Sequence, residues 1–404
     1  MIAEILPSRA EGTIAAPPSK SMAHRALICA ALSKDGCLVT NIAHSEDIKA
    51  TLGALKEMGA EIEGFENTVK IGGLDPFNIK DGAELFVNES GSTLRFLIPL
   101  CLLSDKRITL FGKERLFARP LGIYEEICRE QGIEFKREKD RLTVCGKLKS
   151  GDYIIDNPVS SQFISGLLFA LPLLSGDSKI EITGEFESAS YIDLTIDALK
   201  SFGVDIKREN NVFYIRGSQN LFCERYRVEG DLSNAAFLDG FNLIGGRVTV
   251  LDKKADSLQG DRVYSEMFEN LKNGKKNFDL SDCPDLAPVM FALSSVFGGA
   301  TFTGTKRLAV KESNRAEAMA EELKKFGVSL KIGDNSVEIS ANGLSKPTEI
   351  LSSHNDHRIV MALSLLLSKT GGKIEGAEAV CKSYPNFFDD IKALGIGLNL
   401  YENQ

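Results

Sequence analysis

Residues 20–41 read Lys20-Ser21-Met22-Ala23-His24-Arg25-Ala26-Leu27-Ile28-Cys29-Ala30-Ala31-Leu32, then Ser33-Lys34-Asp35-Gly36, then Cys37-Leu38-Val39-Thr40-Asn41. The order predicts a helix entered from the Pro17-Pro18-Ser19 loop, a stop at Gly36 and a short strand over 37–41. The charges at the entry are the wrong sign for a lone helix. A helix N-terminus is partially positive and favours Asp or Glu, yet Lys20 and Arg25 bracket this one, with Ser19 and Ser21 beside them. Cations added to a helix N-terminus make an anion site. For a single helix, two solvated surface charges and a serine cap explain the pattern as well, so repetition decides the matter.

The pattern does repeat. A helix, a small-residue stop and an alternating strand occur at 26–32 and 37–41, 94–103 and 107–111, 163–174 and 179–183, 235–244 and 247–251, 287–296 and 300–303, and 359–367 and 373–375. Between these lie amphipathic helices at 48–58, 121–130, 194–202, 263–272, 316–326 and 387–394, each stopped by glycine: Gly59, Gly132, Gly203, Gly274, Gly327 and Gly395. The glycines recur about every 70 residues, with one shorter interval from Gly274 to Gly327. Extra strands follow at 69–71, 142–144, 213–216 and 337–340. The module is β-α-β-α-β-β, used six times, which makes the chain α/β. A hairpin after every second helix fits neither a TIM barrel nor a doubly wound sheet. Three modules per domain give an N-terminal domain over 14–229 and a C-terminal domain over 1–13 plus 230–404, crossing near Val228-Glu229-Gly230-Asp231.

Composition narrows the partners. The 404 residues are 43% apolar and 26% charged with a net charge of −8, ordinary for a globular protein and poor for a general nucleic-acid binder. Cationic clusters are therefore local. No apolar run is long enough to span a membrane, and no signal peptide is expected from Met1-Ile2-Ala3-Glu4. The eight cysteines form no C-x-x-C and are read as reduced core thiols of a cytoplasmic protein. Four histidines without zinc spacing make a structural metal unexpected. No dinucleotide or P-loop glycine motif is present. A monomer acting on small molecules, with neither nucleic acid nor membrane as partner, is expected.

The six first-helix starts are Lys20-Ser21…Arg25, Glu89-Ser90-Gly91-Ser92-Thr93-Leu94-Arg95, Ser160-Ser161-Gln162, Asp231-Leu232-Ser233-Asn234, Pro284-Asp285 and Asn355-Asp356-His357-Arg358. Capping explains Ser, Asp and Asn. It does not explain Arg95 and Arg358, each followed at once by an apolar run. Three loops before second helices add charge: Lys113-Glu114-Arg115-Leu116-Phe117-Ala118-Arg119-Pro120, residues 306–315 ending in Lys311-Glu312-Ser313-Asn314-Arg315, and Cys381-Lys382-Ser383-Tyr384-Pro385. So many matched cations suit several phosphates and carboxylates. Asp285 and Glu312 are acids among them, fitted to base and acid roles, although a plain cap and an ion pair with Arg315 are the simpler readings of each alone. Lys20 and Lys382 are candidates to move protons or only to bind.

These motifs, in this order over essentially the whole chain, resemble the EPSP synthase (3-phosphoshikimate 1-carboxyvinyltransferase) family, the target of glyphosate. Tyr191-Ile192-Asp193 extends the match. The resemblance implies a two-domain inside-out α/β barrel, three modules per domain, with the active site in the interdomain cleft. It implies transfer of the enolpyruvyl group of phosphoenolpyruvate to the 5-hydroxyl of shikimate 3-phosphate through a tetrahedral adduct, with no metal or organic cofactor. Shikimate 3-phosphate would meet Lys20, Ser21, Arg25, Ser160, Ser161, Gln162, Ser188, Tyr191, Asp285 and Lys311. Phosphoenolpyruvate would meet Lys20, Gly91, Arg95, Arg119, Gln162, Arg315, Arg358 and Lys382. Asp285 would take the hydroxyl proton, Glu312 would protonate the methylene carbon, and Lys20 completes the catalytic set. Ala309 and Asn314 depart from the family loop R-x-K-E-x-D-R, and Arg307 stands where some members carry Asn.

Two alternatives differ in kind. The sister transferase acting on UDP-N-acetylglucosamine usually carries a reactive cysteine in the loop equivalent to 112–119, and none lies between Cys101 and Cys128 here. A non-catalytic scaffold for phosphorylated ligands needs no acid among its cations, yet Asp285 and Glu312 are present.

Overall fold

Gly59, Gly132, Gly203, Gly274, Gly327 and Gly395, the six expected helix stops, all have positive φ, from 70° at Gly132 to 114° at Gly59. At Gly59 and Gly203 an added Cβ would touch nothing within 4 Å. Backbone conformation, not crowding, selects glycine there.

The computed structural model describes residues 1–158, 160–184 and 189–402. They fall into two units, Met1–Pro17 with Gly230–Gln404 and Pro18–Glu229, each with its own apolar core. The boundary expected at 13/14 lies at 17/18 instead. The reason is pairing: the strand Glu11–Ala15 runs parallel to Arg247–Leu251 along its whole length, which keeps residues 14 and 15 with that unit.

In the Pro18–Glu229 unit each module builds a four-stranded sheet. In one, Asp152–Asp156 lies parallel to Ser178–Thr183, which pairs antiparallel with Val212–Ile215, and that strand with Ile206–Glu209. Two more sheets repeat the order, and one takes its first strand, Arg225–Arg227, from the end of the unit. The other unit has two such sheets. One is completed by the N-terminal strand Ile2–Ile5, which sits between Gly372–Glu375 and Leu398–Tyr401. The fourth module departs from the β-α-β-α-β-β expectation. Among the described residues its sheet is only Glu11–Ala15 and Arg247–Leu251. After its second helix, Tyr264–Lys272, the chain enters Asn277–Asp279, the first strand of the next module. No residues remain for a hairpin, which accounts for the short interval between Gly274 and Gly327.

Helices are labelled α1 (Lys20–Leu32), α2 (Glu46–Glu57), α3 (Gly91–Cys101), α4 (Gln162–Ala170) and α5 (Ala189–Ser201) in the Pro18–Glu229 unit. Those of the other unit are α6 (Leu232–Leu243), α7 (Ala287–Val296), α8 (Arg315–Lys324) and α9 (His357–Thr370). First helices are buried nearly all round, 11 of 13 residues in α1 and 12 of 14 in α9, as their unbroken apolar runs demand. They pack on one another, α3 against α1 and α4, α7 against α6 and α9. Second helices bury one face; α2 buries only Ile48, Ala50, Thr51, Ala54 and Leu55. Inner helices are thus wrapped by outer helices and sheets within each unit, and polar residues at inner-helix starts are held in place by packing. Among the described residues, no helix is long and apolar enough to cross a membrane. All eight cysteines are free thiols.

Candidate active site

In the Pro18–Glu229 unit, Ser19 caps α1 by accepting from the Met22 amide at 3.4 Å. Lys20 opens the helix and its Nζ lies 2.8 Å from Asp47 Oδ2 on α2. Arg25, one turn on, is 2% exposed. Its guanidinium donates to Thr195 Oγ1 at 2.8 Å, to the Ser21 carbonyl at 2.7 Å and to the Tyr191 carbonyl at 2.8 Å, and lies over the Phe96 ring. Burial lowers its pKa to about 10, so it stays a cation at neutral pH. A buried chain of polar groups runs beneath: His24 Nδ1 to Thr51 Oγ1 at 2.8 Å, Thr51 to Thr93 at 2.7 Å, and Thr93 to the cap Ser90 at 2.7 Å. Burial, then the charges of Lys20 and Arg25, hold His24 neutral. The chain ties the start of α1 to the start of α3.

The starts of α3 and α4 meet in the same way. Arg95 Nη1 donates to Gln162 Oε1 at 2.7 Å and Nη2 to the Pro120 carbonyl at 3.1 Å, with Phe163 beneath the guanidinium. Gln162 Nε2 donates to Ser92 Oγ at 3.0 Å. A Cβ on Gly91 would stand 2.9 Å from Arg119 Nη1, 3.2 Å from Arg95 Nη1 and 3.6 Å from Gln162 Oε1. The space over Gly91 is therefore closed off by two guanidiniums, and a side chain there would have to displace them. Ser160 Oγ accepts from the Gln162 amide at 3.3 Å, and Ser161 is 4% exposed at the start of α4. Ser188 lies outside the described residues.

The second cluster belongs to the other unit and centres on Asp285, just before α7. Its Oδ1 accepts from Arg315 Nη1 at 2.7 Å and Lys311 Nζ at 3.2 Å, and its Oδ2 from Arg358 Nη2 at 3.2 Å. Burial favours the protonated acid, but Arg358, then Lys311 and Arg315, outweigh burial and hold Asp285 well below the usual carboxylate range. Arg315 is 1% exposed. It also binds Glu312 Oε2 at 2.6 Å and Asp356 Oδ2 at 2.9 Å. Asp356 caps α9 on the Arg358 amide and accepts from Ser313 Oγ at 3.0 Å. Lys382 Nζ donates to the Asn355 carbonyl at 2.8 Å. The 306–310 stretch is a short 3-10 turn anchored by buried Leu308 and by the Lys306 amide on Asn335 Oδ1.

The sequence marks first-helix starts; the structure adds a rule for second helices. In every module a residue at or just before the second helix reaches a first-helix start. Asp47 reaches Lys20, Arg119 reaches Gly91, Tyr191 reaches Arg25, Arg315 reaches Asp285 and Lys382 reaches Asn355. In the fourth module Asp261 takes a hydrogen bond from Ser233. Asp47 and Asp261 are acidic and so do not stand out among cations, although their place at or just before the second helix matches that of Arg119 and Arg315. Burial, then the charge of Asp285, pushes Asp261 up to about 7. Arg119 and Arg315, alike in sequence position, differ in setting: Arg315 is gripped by three carboxylates, while Arg119 faces Gly91.

The family model for EPSP synthase (3-phosphoshikimate 1-carboxyvinyltransferase) matches residues 6–391. A 3-phosphoshikimate 1-carboxyvinyltransferase of Clostridium kluyveri is 43% identical over 97% of this chain and 96% of its own. One of Clostridium novyi is 41% identical over 97% of each. The solved EPSP synthase of Acinetobacter baumannii superposes with a TM-score of 0.80 at 24% identity, covering 99% of this chain and all of that one; at that identity it speaks for the fold.

Proposed function

The chain belongs to the EPSP synthase family, and on that premise we propose how its residues divide the work. The reaction transfers the enolpyruvyl group of phosphoenolpyruvate to the 5-hydroxyl of shikimate 3-phosphate, through a tetrahedral adduct that loses phosphate, in aromatic amino-acid biosynthesis. In our assignment, Lys20, Ser21, Arg25, Ser160, Ser161, Gln162, Tyr191 and Ser188 receive shikimate 3-phosphate, with Asp285 and Lys311. Gly91, Arg95, Arg119 and Gln162, with Lys20, Arg315, Arg358 and Lys382, receive phosphoenolpyruvate. Both clusters serve the same pair of substrates, and the enzyme works as a monomer in the cytoplasm.

The observation that carries the assignment is Asp285 bound to three cations. A carboxylate with its pKa held that low is a poor base. Anionic substrate changes this: as the phosphoenolpyruvate carboxylate draws Arg315 and Arg358, Asp285 loses counter-charge and gains basicity. It then takes the 5-hydroxyl proton as the oxygen attacks C2 of phosphoenolpyruvate. Glu312, on the far Nη of Arg315, delivers a proton to the methylene carbon. Collapse of the adduct returns a methyl proton to the Glu312 carboxylate as the C2–O bond to phosphate breaks and the C=C bond re-forms, and Lys20 and Arg119 stabilise the charge on the leaving phosphate. The assay is phosphate release from the two substrates mixed. Release with UDP-N-acetylglucosamine in place of shikimate 3-phosphate, and none with the latter, refutes the assignment.

Gly91 yields a separate prediction. A methyl at that position meets Arg119 and Arg95 directly, so Gly91→Ala moves the guanidiniums as well as crowding the inhibitor. Glyphosate inhibition is expected to be competitive with phosphoenolpyruvate and to weaken roughly 10- to 200-fold in the variant, the range one methyl produces in a tight site. The KM for phosphoenolpyruvate is expected to rise too. An unchanged KM would leave only direct crowding, and an unchanged inhibition constant would rule out both.

A further inference from the structure

Strand Leu351–Ser352 ends and α9 begins across a tight turn in which His354 (φ 47°) and Asn355 (φ 55°) are both left-handed. Consecutive side-chain-bearing residues take that conformation only where surrounding contacts impose it. Here α8 imposes it. His354 Nε2 lies 3.0 Å from Glu322 Oε1, on a side chain with no solvent exposure. The other Glu322 oxygen accepts from the Ser352 amide at 3.0 Å, and Lys325 Nζ is 3.0 Å from both. The next two residues serve the Asp285 cluster: the Asn355 carbonyl accepts from Lys382, and Asp356 holds Arg315. Helix α8 thus grips the turn at both its ends, through Arg315 at its start and Glu322 near its finish.

We propose that His354 in its charged form is a positioning residue for Lys382: paired with Glu322, it fixes the left-handed turn that presents the Asn355 carbonyl, so that phosphoenolpyruvate is bound more tightly at low pH than at high pH. The proposal rests on Lys382 as a ligand of phosphoenolpyruvate. The groups facing the ring support the charged form. From α8 come Glu322, Glu321 at 3.8 Å and the opposing Lys325. The other segments meet the turn through its backbone: Lys382 Nζ donates to the Asn355 carbonyl, and the Glu375 carbonyl accepts from the Ser353 amide. The hydrogen bond to Glu322 raises the His354 pKa above its ordinary value, against burial. An interaction of this sign is complete below about pH 6.5 and is lost as pH rises through the raised value. Lys325 already supplies a cation to both oxygens of Glu322.

The experiment measures kcat/KM for phosphoenolpyruvate, at saturating shikimate 3-phosphate, from about pH 5.5 to about pH 9. It compares the wild type with His354→Gln and His354→Lys. Proton NMR follows the four histidines, the His354 resonance being the one that His354→Gln removes. The wild-type to Gln ratio is expected to be about five-fold at the acid end and to fall to one with the pKa that NMR reports. His354→Lys, charged throughout, is expected to keep wild-type acid-end efficiency at all pH values. A ratio that does not vary with pH overturns the proposal and leaves a plain hydrogen bond. Lys382→Ala separates the two layers: an unchanged KM for phosphoenolpyruvate removes the ligand reading, whereas a raised KM beside a pH-independent ratio removes only the role of His354.

Discussion

Asp285→Asn is expected to lower kcat by about 10³- to 10⁴-fold, the upper part of the range for loss of a positioned base. The substitution keeps the shape but only one acceptor: the amide oxygen can serve either Arg315 and Lys311 or Arg358, and the amide NH2 then faces the remaining cation donor to donor. What is lost is the charge and one acceptor. In the free protein that charge is the common partner of all three cations, and removing one member of such a group leaves the others undercompensated in a dry site. Stability is therefore expected to fall together with activity, and pH separates the contributions. Asp285 is held well below the ordinary carboxylate pKa. Its folded-state ionisation thus contributes stability that is fully present above about pH 3.9 and is lost as pH falls through the lower folded value. The urea-unfolding difference between wild type and Asn variant should be constant from neutral pH down to about pH 3.9, the unfolded value, and shrink below it. If kcat survives within about ten-fold while stability drops, Asp285 is a structural counter-ion and the proton goes elsewhere.

The architecture was legible from two kinds of residue. Six glycines stop six amphipathic helices, and only backbone with positive φ required them; such a constraint is local, so it survives in the sequence. Apolar runs such as 359–367 announced helices buried on all sides, and α9 is one. The fourth module was expected to be complete like the rest, and although the interval from Gly274 to Gly327 is short, the absence of its hairpin among the described residues emerged only from the structure. Side-chain partners were less legible. Arg25 and Thr195 lie in different modules and meet only because α1 packs on α5. Arg119 and Arg315 occupy matched loops, and of the three carboxylates on Arg315 only Glu312 is a near neighbour in sequence, whereas Asp285 and Asp356 come from other modules and nothing local announces them. Asp47 and Asp261 were hidden by their sign, because an anion site announces itself by cations and not by the acids at the same helix starts, Asp47 on Lys20 and Asp261 on Ser233.

Lys20→Ala is expected to reduce kcat/KM at least about 10³-fold, more than the loss of one neutral donor. Lys20 is assigned to both substrates and to the leaving phosphate, so its removal acts on binding and on the transition state together. The fold should survive. Lys20 sits at the first position of α1, where a cation opposes the helix dipole by about 0.3–1 kcal/mol. Its compensation in the empty protein is the 2.8 Å pair with Asp47, whose side chains are 15% and 13% exposed. The pair is largely buried, so its loss leaves Asp47 undercompensated and outweighs the relief of the dipole, and the unfolding free energy should fall by about 1–3 kcal/mol without loss of the fold. Asp47 gives the control that the lysine alone cannot. If the pair holds Lys20 ready, Asp47→Asn should leave the fold equally intact and weaken turnover far less, since the ammonium remains and only its aim is relaxed. Lys20→Arg should not restore activity, because a planar guanidinium cannot occupy the place of a compact ammonium between two anions. Equal losses in Lys20→Ala and Asp47→Asn would instead mean that the ion pair, rather than the lysine's own contact with substrate, is what the reaction needs.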